Sequence, residues 1–183
     1  CGPTNSMRGA AFLSGIKNGL VADVGGTTMD VGEVQNGFPR PAGTAVSVAD
    51  VQTNFSMPDV ISIGLGGGSI INRDAATVGP DSVGHRLLEE GVVFGGSVLT
   101  ASDSAVAAGR TQMGDYSPGE LPELDRLIGA LDQKAGDAIA RSRTSGEAMK
   151  VIAVGGGAVL LPDQLDGLDV IRWQGDLFNT NES

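Results

Sequence analysis

The sequence is poor in several residue types, and each shortage argues against a class of protein. A single cysteine, Cys1, excludes an internal disulfide framework, and a single histidine, His85, argues against a histidine-rich zinc site. The chain has 12 lysines and arginines against 22 acidic residues, and its net charge of −10 argues against a surface for nucleic acid or anionic lipid. No apolar run reaches the roughly 18 residues that a membrane-spanning helix needs. We therefore expect a cytoplasmic protein that binds neither nucleic acid nor a membrane.

Aromatic residues are also scarce, at 4% of the chain, so aliphatic residues and alanine must supply most of the core. Glycine is abundant by contrast, at 29 of 183 residues, which is more than twice its usual share of roughly 7%. The glycines follow apolar runs and show no three-residue period, which excludes a collagen-like fibre. This composition predicts a globular α/β domain over residues 1–172 and a polar tail over residues 173–183.

Hydrophobic periodicity predicts an alternation of strands and helices. Turn signals separate strands near 20–24, 29–35 and 43–49, which predicts a three-stranded antiparallel meander within a mixed sheet flanked by helices. Asn5 or Ser6 is expected to cap the first helix. Further strands are predicted at 60–65, 92–100, 150–154 and 168–172, and helices at 6–17, 82–90, 102–110 and 122–143.

The turn between the first two predicted strands carries the residues for phosphate chemistry. It reads Gly25-Gly26-Thr27-Thr28 and is flanked by Asp23 and Asp30. Glycine has no Cβ, so its N–H group can approach a bulky anion closely, and the threonine hydroxyls add donors. A hydrated divalent cation placed between the two acids can bridge carboxylate and phosphate. The pattern indicates phosphate binding, with an ordinary hairpin and solvated acids as the alternative.

Glycine follows an apolar strand at three places in the chain. The segments are Val24-Gly25-Gly26, Leu65-Gly66-Gly67-Gly68 and Val154-Gly155-Gly156-Gly157. In an α/β sheet, strands that end in glycine bring open backbone to the edge where ligands bind. We expect at least two of these segments to line one ligand site, with three unrelated turns as the alternative.

The order of these motifs resembles one lobe of the actin, hexokinase and DnaK-type ATPase fold, a ribonuclease H-like α/β lobe. More specifically, the chain resembles the hydantoinase/oxoprolinase family, of the hydantoin utilisation protein A type. The segments that carry the resemblance are 2–3, 23–30, 36–37, 57–60, 66–70, 78–84, 99–103 and 154–162. The resemblance spans about residues 1–172 and corresponds to the second lobe, so it implies a separate N-terminal lobe with its own phosphate loop.

The family resemblance implies an enzyme that uses ATP to open a cyclic amide such as a hydantoin or 5-oxoproline. ATP would phosphorylate the amide oxygen before water opens the ring. By resemblance, the residues that hold the β- and γ-phosphates are Gly25, Gly26, Thr27 and Thr28, and those that pack against the adenosine are Gly155, Gly156 and Gly157. A second subunit is an expected partner.

More than one role is open for Asp23 and Asp30, and likewise for the middle glycine segment, residues 66–69. By resemblance, Asp23 binds Mg²⁺ through water or orients the attacking group, and Asp30 assists the metal or is a solvated strand acid. The middle segment either faces the substrate, closes the interface between lobes or only packs; its residues are Gly66, Gly67, Gly68 and Ser69.

Three more residues have side chains that can act in catalysis, namely Cys1, His85 and Asp103. Asp103 is expected to be a helix cap, and His85 a surface or helix residue, because nothing in the sequence supplies a partner for it. Cys1 lies in a Gly-Pro loop and has no neighbouring histidine to activate it. Two functions other than the cyclic amide hydrolase stay open: a non-catalytic, nucleotide-responsive module and a small-molecule kinase.

Overall fold

The computed structural model describes residues 2–43, 46–48, 51–53, 58–144 and 149–172. Cys1 and the predicted tail over 173–183 lie outside these residues. The α-helices are α1 (Gly2–Ser14), α2 (Leu87–Glu90), α3 (Ala101–Ala107) and α4 (Leu124–Ser142). Short 3-10 helices cover Gly84–Arg86, Val92–Phe94 and Ala158–Leu160. The strands are β1 (Gly19–Val24), β2 (Met29–Gln35), β3 (Phe38–Pro39), β4 (Val46–Val48), β5 (Val51–Thr53), β6 (Val60–Ile63), β7 (Ser69–Asn72), β8 (Thr77–Ser82), β9 (Val151–Val154), β10 (Gln164–Leu165) and β11 (Leu168–Arg172).

Seven strands form one mixed sheet in the described part of the chain. Their order is β10-β11-β9-β1-β2-β3, and β6 also pairs with β2. The strand β1 runs antiparallel to β2 and parallel to β9, which in turn runs parallel to β11. The C-terminal ends of β1 and β9 therefore lie at one edge of the sheet, beside the turn that joins β1 to β2.

Helices cover both faces of this sheet. On one face, Met7, Ala10 and Ala11 of α1 pack with Val21 and Ile152 of the sheet. On the other face, buried residues of α3 and α4 join the alternate residues of the same strands in the main core. Because both faces are covered, the central strands read as nearly continuous apolar runs in the sequence.

The helix α4 supplies most of the second layer. Its buried apolar residues recur at three- and four-residue intervals and are Leu127, Leu131, Ala135, Ala138 and Ile139. Such spacing places them along one stripe of a helix. Burial of each leucine in this stripe contributes about 1.5–3 kcal/mol. None of the helices in the described ranges is both long and apolar enough to cross a membrane.

A buried acid ties β2 to the end of α4. Glu33 is 1% exposed and accepts hydrogen bonds from the Gln35 side chain at 2.9 Å and from the Thr144 N–H at 3.1 Å. Burial alone raises the pKa of Glu33, but these bonds and the nearby Arg40 guanidinium outweigh it, so the pKa lies below its ordinary value. The carboxylate is therefore charged at neutral pH and fixes the far end of β2.

Several predicted elements are confirmed. The strands expected at 20–24 and 29–35 are β1 and β2, and those expected at 150–154 and 168–172 are β9 and β11. The helix expected at 122–143 is α4. The three-stranded antiparallel meander is also present, as β1, β2 and β3.

Other predictions were wrong in detail. The third strand of the meander is Phe38–Pro39 rather than 43–49, because β3 and β6 occupy the free edge of β2 and β4 pairs with β5 instead. The strand predicted at 92–100 is replaced by a 3-10 turn, since Gly95 has φ +93°, which extended backbone does not adopt.

Two helix predictions also need correction. The first helix begins at Gly2 and ends at Ser14, because Gly15, with φ +70°, adopts the left-handed conformation that stops a helix. The helix predicted at 82–90 is limited to a 3-10 turn followed by the four residues of α2.

Candidate functional site

The turn between β1 and β2, residues 25–28, presents unbonded backbone donors to solvent. Gly25 closes the turn by donating its N–H to the Thr28 carbonyl at 2.9 Å. The next three residues are exposed, and among the residues that the structure describes none accepts a hydrogen bond from the N–H groups of Gly26, Thr27 or Thr28. Successive free N–H groups in a turn form a concavity that binds anions. We call residues 25–28 the phosphate loop, after the ligand that the sequence predicts for them.

A second glycine turn holds the phosphate loop from behind. This supporting turn, residues 66–69, is buried. Gly67 donates its N–H to the Gly25 carbonyl at 3.0 Å, and Gly68 donates to the Gly26 carbonyl at 2.7 Å. The carbonyl groups of Gly25 and Gly26 are therefore bonded to the supporting turn, whereas the N–H groups of Gly26, Thr27 and Thr28 have no acceptor among the described residues.

The close approach of the two turns requires glycine. A Cβ on Gly66 would lie 2.5 Å from the Thr27 nitrogen and 2.7 Å from the Gly25 carbonyl oxygen, both closer than real Cβ contacts. Ser69 completes the supporting turn by accepting the Gly66 N–H at 2.8 Å on its hydroxyl. Packing accounts for these contacts, and a substrate role for Gly66, Gly67, Gly68 and Ser69 stays a prediction.

The third glycine segment, residues 155–157, packs on the other side of β1. Gly157 donates its N–H to the Val24 carbonyl at 2.8 Å. Gly155 has φ +85°, and a Cβ there would lie 2.7 Å from Asp23 Oδ1 and would also collide with the Val24 carbonyl. Gly156 is exposed, with no atom within 4 Å of the place a Cβ would occupy. The three glycine segments thus meet at one edge of the sheet, and their ligand is a matter for proposal.

Asp23 and Asp30 lie directly opposite each other on neighbouring strands, just inside the phosphate loop. Asp30 accepts a hydrogen bond from the Ser62 hydroxyl, whereas Asp23 has no hydrogen-bond or ion-pair partner among the described residues. Like charges placed opposite each other in a sheet are unfavourable by about 0.2–1 kcal/mol. A cation between them would relieve that repulsion.

The two carboxylates of Asp23 and Asp30 fit Mg²⁺, which takes most of its ligands from water and phosphate, better than a metal whose ligands all come from the protein. No cluster of three or more His, Cys, Asp or Glu suited to a metal occurs in the described ranges. Mg²⁺ usually keeps several waters and takes one or two carboxylates together with the phosphates of its nucleotide. Asp23 and Asp30 supply that number of carboxylates beside the phosphate loop.

A cavity of about 210 Å³ opens between α1 and the ends of β1 and β9. Its lining includes Asp23, Val154 and Gly155 from the sheet and Asn5 and Ser6 from α1. The sequence predicts the two α1 residues only as helix caps, whereas both lie inside α1, which begins at Gly2. Seventeen or more positions separate them from Asp23, so no local spacing pattern could reveal that they share a cavity.

Asp103 anchors the supporting turn through α3. Its carboxylate is fully buried and accepts the N–H groups of Val93 and Thr100, each at 2.7 Å, and the Thr100 hydroxyl at 2.7 Å. Ser102, which directly precedes Asp103, donates its N–H to the Gly67 carbonyl at 3.0 Å. The prediction that Asp103 caps a helix is confirmed.

His85 is exposed on the 3-10 helix Gly84–Arg86, so its predicted place on the surface is confirmed. Cys1, which is expected from the sequence to lie in a Gly-Pro loop, is outside the described residues.

Comparison with curated proteins finds two relatives that are 30% identical or more. The chain is 32% identical over 128 residues to the acetophenone carboxylase gamma subunit of Aromatoleum aromaticum, covering 66% of this chain and 18% of that protein. It is 30% identical over 135 residues to the acetone carboxylase beta subunit of Xanthobacter autotrophicus, covering 68% of this chain and 18% of that protein. The chain thus spans about a fifth of the length of these curated relatives.

Two solved structures share the fold. A nucleotide-free acetone carboxylase, described as carrying out ATP-dependent acetone carboxylation, matches with a TM-score of 0.56 at 19% identity, over 84% of this chain and 26% of its own. The ATP-dependent caprolactamase of Pseudomonas jessenii matches with a TM-score of 0.54 at 21% identity, over 89% of this chain and 30% of its own. The predicted α/β lobe of the actin-like ATPase type is confirmed. Because residues 1–142 match the profile described as Hydantoinase/oxoprolinase, the chain belongs to the hydantoinase/oxoprolinase family.

Proposed function

We propose that this chain is the nucleotide-binding lobe of an enzyme in which ATP phosphorylates the oxygen of a cyclic amide before the ring is opened. The observation that carries this proposal is the run of three N–H groups without an acceptor among the described residues, at Gly26, Thr27 and Thr28, in a turn whose carbonyl groups are bonded to the buried supporting turn. Such donors bind phosphate oxygens without the basic side chains in which this chain is poor.

Each part of the site has a role in this proposal. The phosphate loop holds the β- and γ-phosphates. The exposed backbone at Gly156 accommodates the adenosine, and the packing of Gly155 and Gly157 against β1 fixes the position of Gly156. Asp23 and Asp30 would hold Mg²⁺, which would supply neutralisation of the charge that develops on the phosphates.

The chemistry proceeds without a protein nucleophile. The amide oxygen attacks the γ-phosphorus, an O–P bond forms, and the bond from phosphorus to the bridging oxygen breaks as ADP leaves with the electron pair. Water adds to the activated carbon, the C–N bond breaks, and the nitrogen takes up a proton. A second water then releases inorganic phosphate from the acyl phosphate. The protein contributes orientation and charge stabilisation, which are the main terms in phosphoryl transfer.

The facing half of the nucleotide cleft lies on a partner lobe in this proposal. Lobes of the actin-like type enclose ATP in pairs, and this chain spans 18% of its curated relatives. Both of those relatives are named as subunits, which supports a second subunit as a further partner.

The carboxylase names of the relatives favour a second candidate function. In that case ATP activates the carbonyl oxygen of a ketone, or a bicarbonate, rather than a cyclic amide. The phosphate loop and the two acids would have the same roles, so the two candidates differ only in the molecule that is phosphorylated.

Calorimetry with ATP and Mg²⁺ tests the nucleotide site in the longest natural polypeptide that contains this chain. We expect Asp23→Asn to weaken the affinity for Mg²⁺-ATP by about tenfold, or about 1.4 kcal/mol. Asp169→Asn is the matched control, because Asp169 is an exposed acid on β11 with only a 3.2 Å contact to Gln164. Absence of affinity for Mg²⁺-ATP in the wild-type protein would show that the proposed function is wrong.

A screen of phosphate release then separates the candidates. Hydantoin, 5-oxoproline and ε-caprolactam test the cyclic amide hydrolase, acetone and acetophenone with bicarbonate test the carboxylase, and glucose tests a kinase. We expect a cyclic amide to stimulate release most strongly. Stimulation by ketone and bicarbonate alone would select the second candidate, and ATP binding without stimulation by any compound would indicate a non-catalytic module.

A further inference from the structure

The cavity between α1 and the sheet has the size of a small ring. Its volume is about 210 Å³. Sites for drug-sized ligands occupy about 300–1,000 Å³. A five- to seven-membered ring with one or two carbonyl groups, which is smaller than a drug-sized ligand, is therefore of a suitable size.

Three polar residues line the cavity, namely Asn5, Ser6 and Asp23. Their side chains make no hydrogen bond within the described part of the chain. The Asn5 amide both donates and accepts, the Ser6 hydroxyl does the same, and the Asp23 carboxylate accepts. An amide group presents one donor and one acceptor, so these side chains are complementary to it.

The cavity also has apolar lining residues. These are Ala10 and Leu13 of α1 and Val154 of β9. The methylene groups of a ring would lose contact with water against these side chains, at about 25 cal/mol for each Å² buried. The lining thus combines polar groups for the amide with apolar groups for the carbon skeleton.

The position of the cavity joins it to the phosphate loop. Asp23 lines the cavity and lies two residues before Gly25, and Gly155 belongs both to the cavity and to the segment that packs on β1. Resting on the function proposed above, we infer that this cavity binds the cyclic amide itself, with its carbonyl oxygen directed toward the nucleotide at the phosphate loop. Asn5 and Ser6 are then residues that determine substrate specificity.

Two variants of α1 test this assignment. Leu13→Phe fills the apolar side of the cavity, and Asn5→Ala removes the polar group from an exposed position that cannot disturb the core. Phe12→Leu is the control, because Phe12 lies on the same helix but is 85% exposed and is not among the residues that line the cavity. Binding of ε-caprolactam, hydantoin and 5-oxoproline is measured by ligand-detected NMR without nucleotide, in the longest natural polypeptide that contains this chain.

We expect Asn5→Ala and Leu13→Phe to weaken binding of the preferred amide by about fivefold or more, with the Kd for Mg²⁺-ATP within about twofold of wild type. The control should match the wild-type protein in both. Unchanged amide binding in both variants would overturn the assignment, as would an equal loss of ATP affinity, which would place the nucleotide in the cavity. If the wild-type protein binds no ATP, the proposed function fails, but the amide titration still decides the cavity.

Discussion

The phosphate loop and the supporting turn have similar sequences and opposite environments. Both follow an apolar strand and both are rich in glycine, yet residues 26–28 are exposed with free N–H groups, whereas residues 66–69 are buried. Glycine leaves room for a ligand in the first turn and allows backbone to pack on backbone in the second. The difference shows that a glycine motif indicates a place where other atoms can come close to the backbone. The motif does not indicate whether those atoms belong to a ligand or to the protein itself.

Loss of the anchor behind the supporting turn is expected to have the largest effect on stability. Asp103→Ala leaves the N–H groups of Val93 and Thr100 and the Thr100 hydroxyl buried without an acceptor. We expect a loss of about 3 kcal/mol in the free energy of unfolding, measured with urea. Asp103→Asn keeps one acceptor oxygen and should recover part of that loss. A stability within 0.5 kcal/mol of wild type, roughly the effect of an ordinary surface substitution, would contradict this role.

The two turns should respond differently to the same substitution. Gly66→Ala introduces a Cβ 2.5 Å from the Thr27 nitrogen, and we expect it to cost about 2 kcal/mol of stability. Gly26→Ala meets no atom within 4 Å and should leave stability within about 0.5 kcal/mol. Its affinity for Mg²⁺-ATP should nevertheless fall about fivefold, because the new methyl group occupies the space of the phosphate. Urea unfolding and calorimetry on both variants provide the test, and equal stability losses would erase the contrast between the turns.

The hydroxyl groups of the two turns offer a finer comparison. Ser69→Ala removes the acceptor for the buried Gly66 N–H, so we expect a loss of about 1 kcal/mol. Thr28→Ala changes an exposed side chain and should alter stability by less than about 0.5 kcal/mol. Thermal unfolding of the pair measures the difference. A larger loss for Thr28→Ala than for Ser69→Ala would reverse the roles given to the two turns.

The smallest expected effect on stability comes from Glu33 on β2, the strand that follows the phosphate loop, and this effect depends on pH. The pKa of Glu33 is lowered in the folded protein, so its stabilising contribution is complete above the unfolded value of about 4.5 and is lost as the pH falls through the folded pKa. Glu33→Gln should therefore reduce the fall in Tm between pH 6 and pH 3, roughly the range over which a carboxyl group titrates. The variant Asp169→Asn, at an exposed acid, is the control. An unchanged pH profile in Glu33→Gln would contradict the role given to this buried acid.

Local patterns predicted the fold where neighbouring residues determine it. The hairpin of β1 and β2, the strand β9 and the helix α4 follow from apolar periodicity and turn residues within one short window. The prediction at 92–100 was wrong because the backbone turns at Gly95, with φ +93°. The buried Asp103 carboxylate also binds the Val93 N–H across ten positions, and no local pattern records that bond.

The site was predictable to a similar extent. The sequence singled out all three glycine segments, and the structure brings them together. Composition could not distinguish the exposed turn from the buried one, because burial depends on which strands pair. Asn5 and Ser6 escaped notice as cavity residues because α1 and β1 meet only in the folded protein.

The most direct test of the central claim is an experimental structure of the longest natural polypeptide containing this chain, bound to Mg²⁺ and a non-hydrolysable ATP analogue. We expect phosphate oxygens within about 3.2 Å of the N–H groups of Gly26, Thr27 and Thr28, a common limit for N–H···O bonds. The supporting turn should keep its bonds to the Gly25 and Gly26 carbonyls. Phosphates bound elsewhere, with the phosphate loop N–H groups facing only water, would contradict the account.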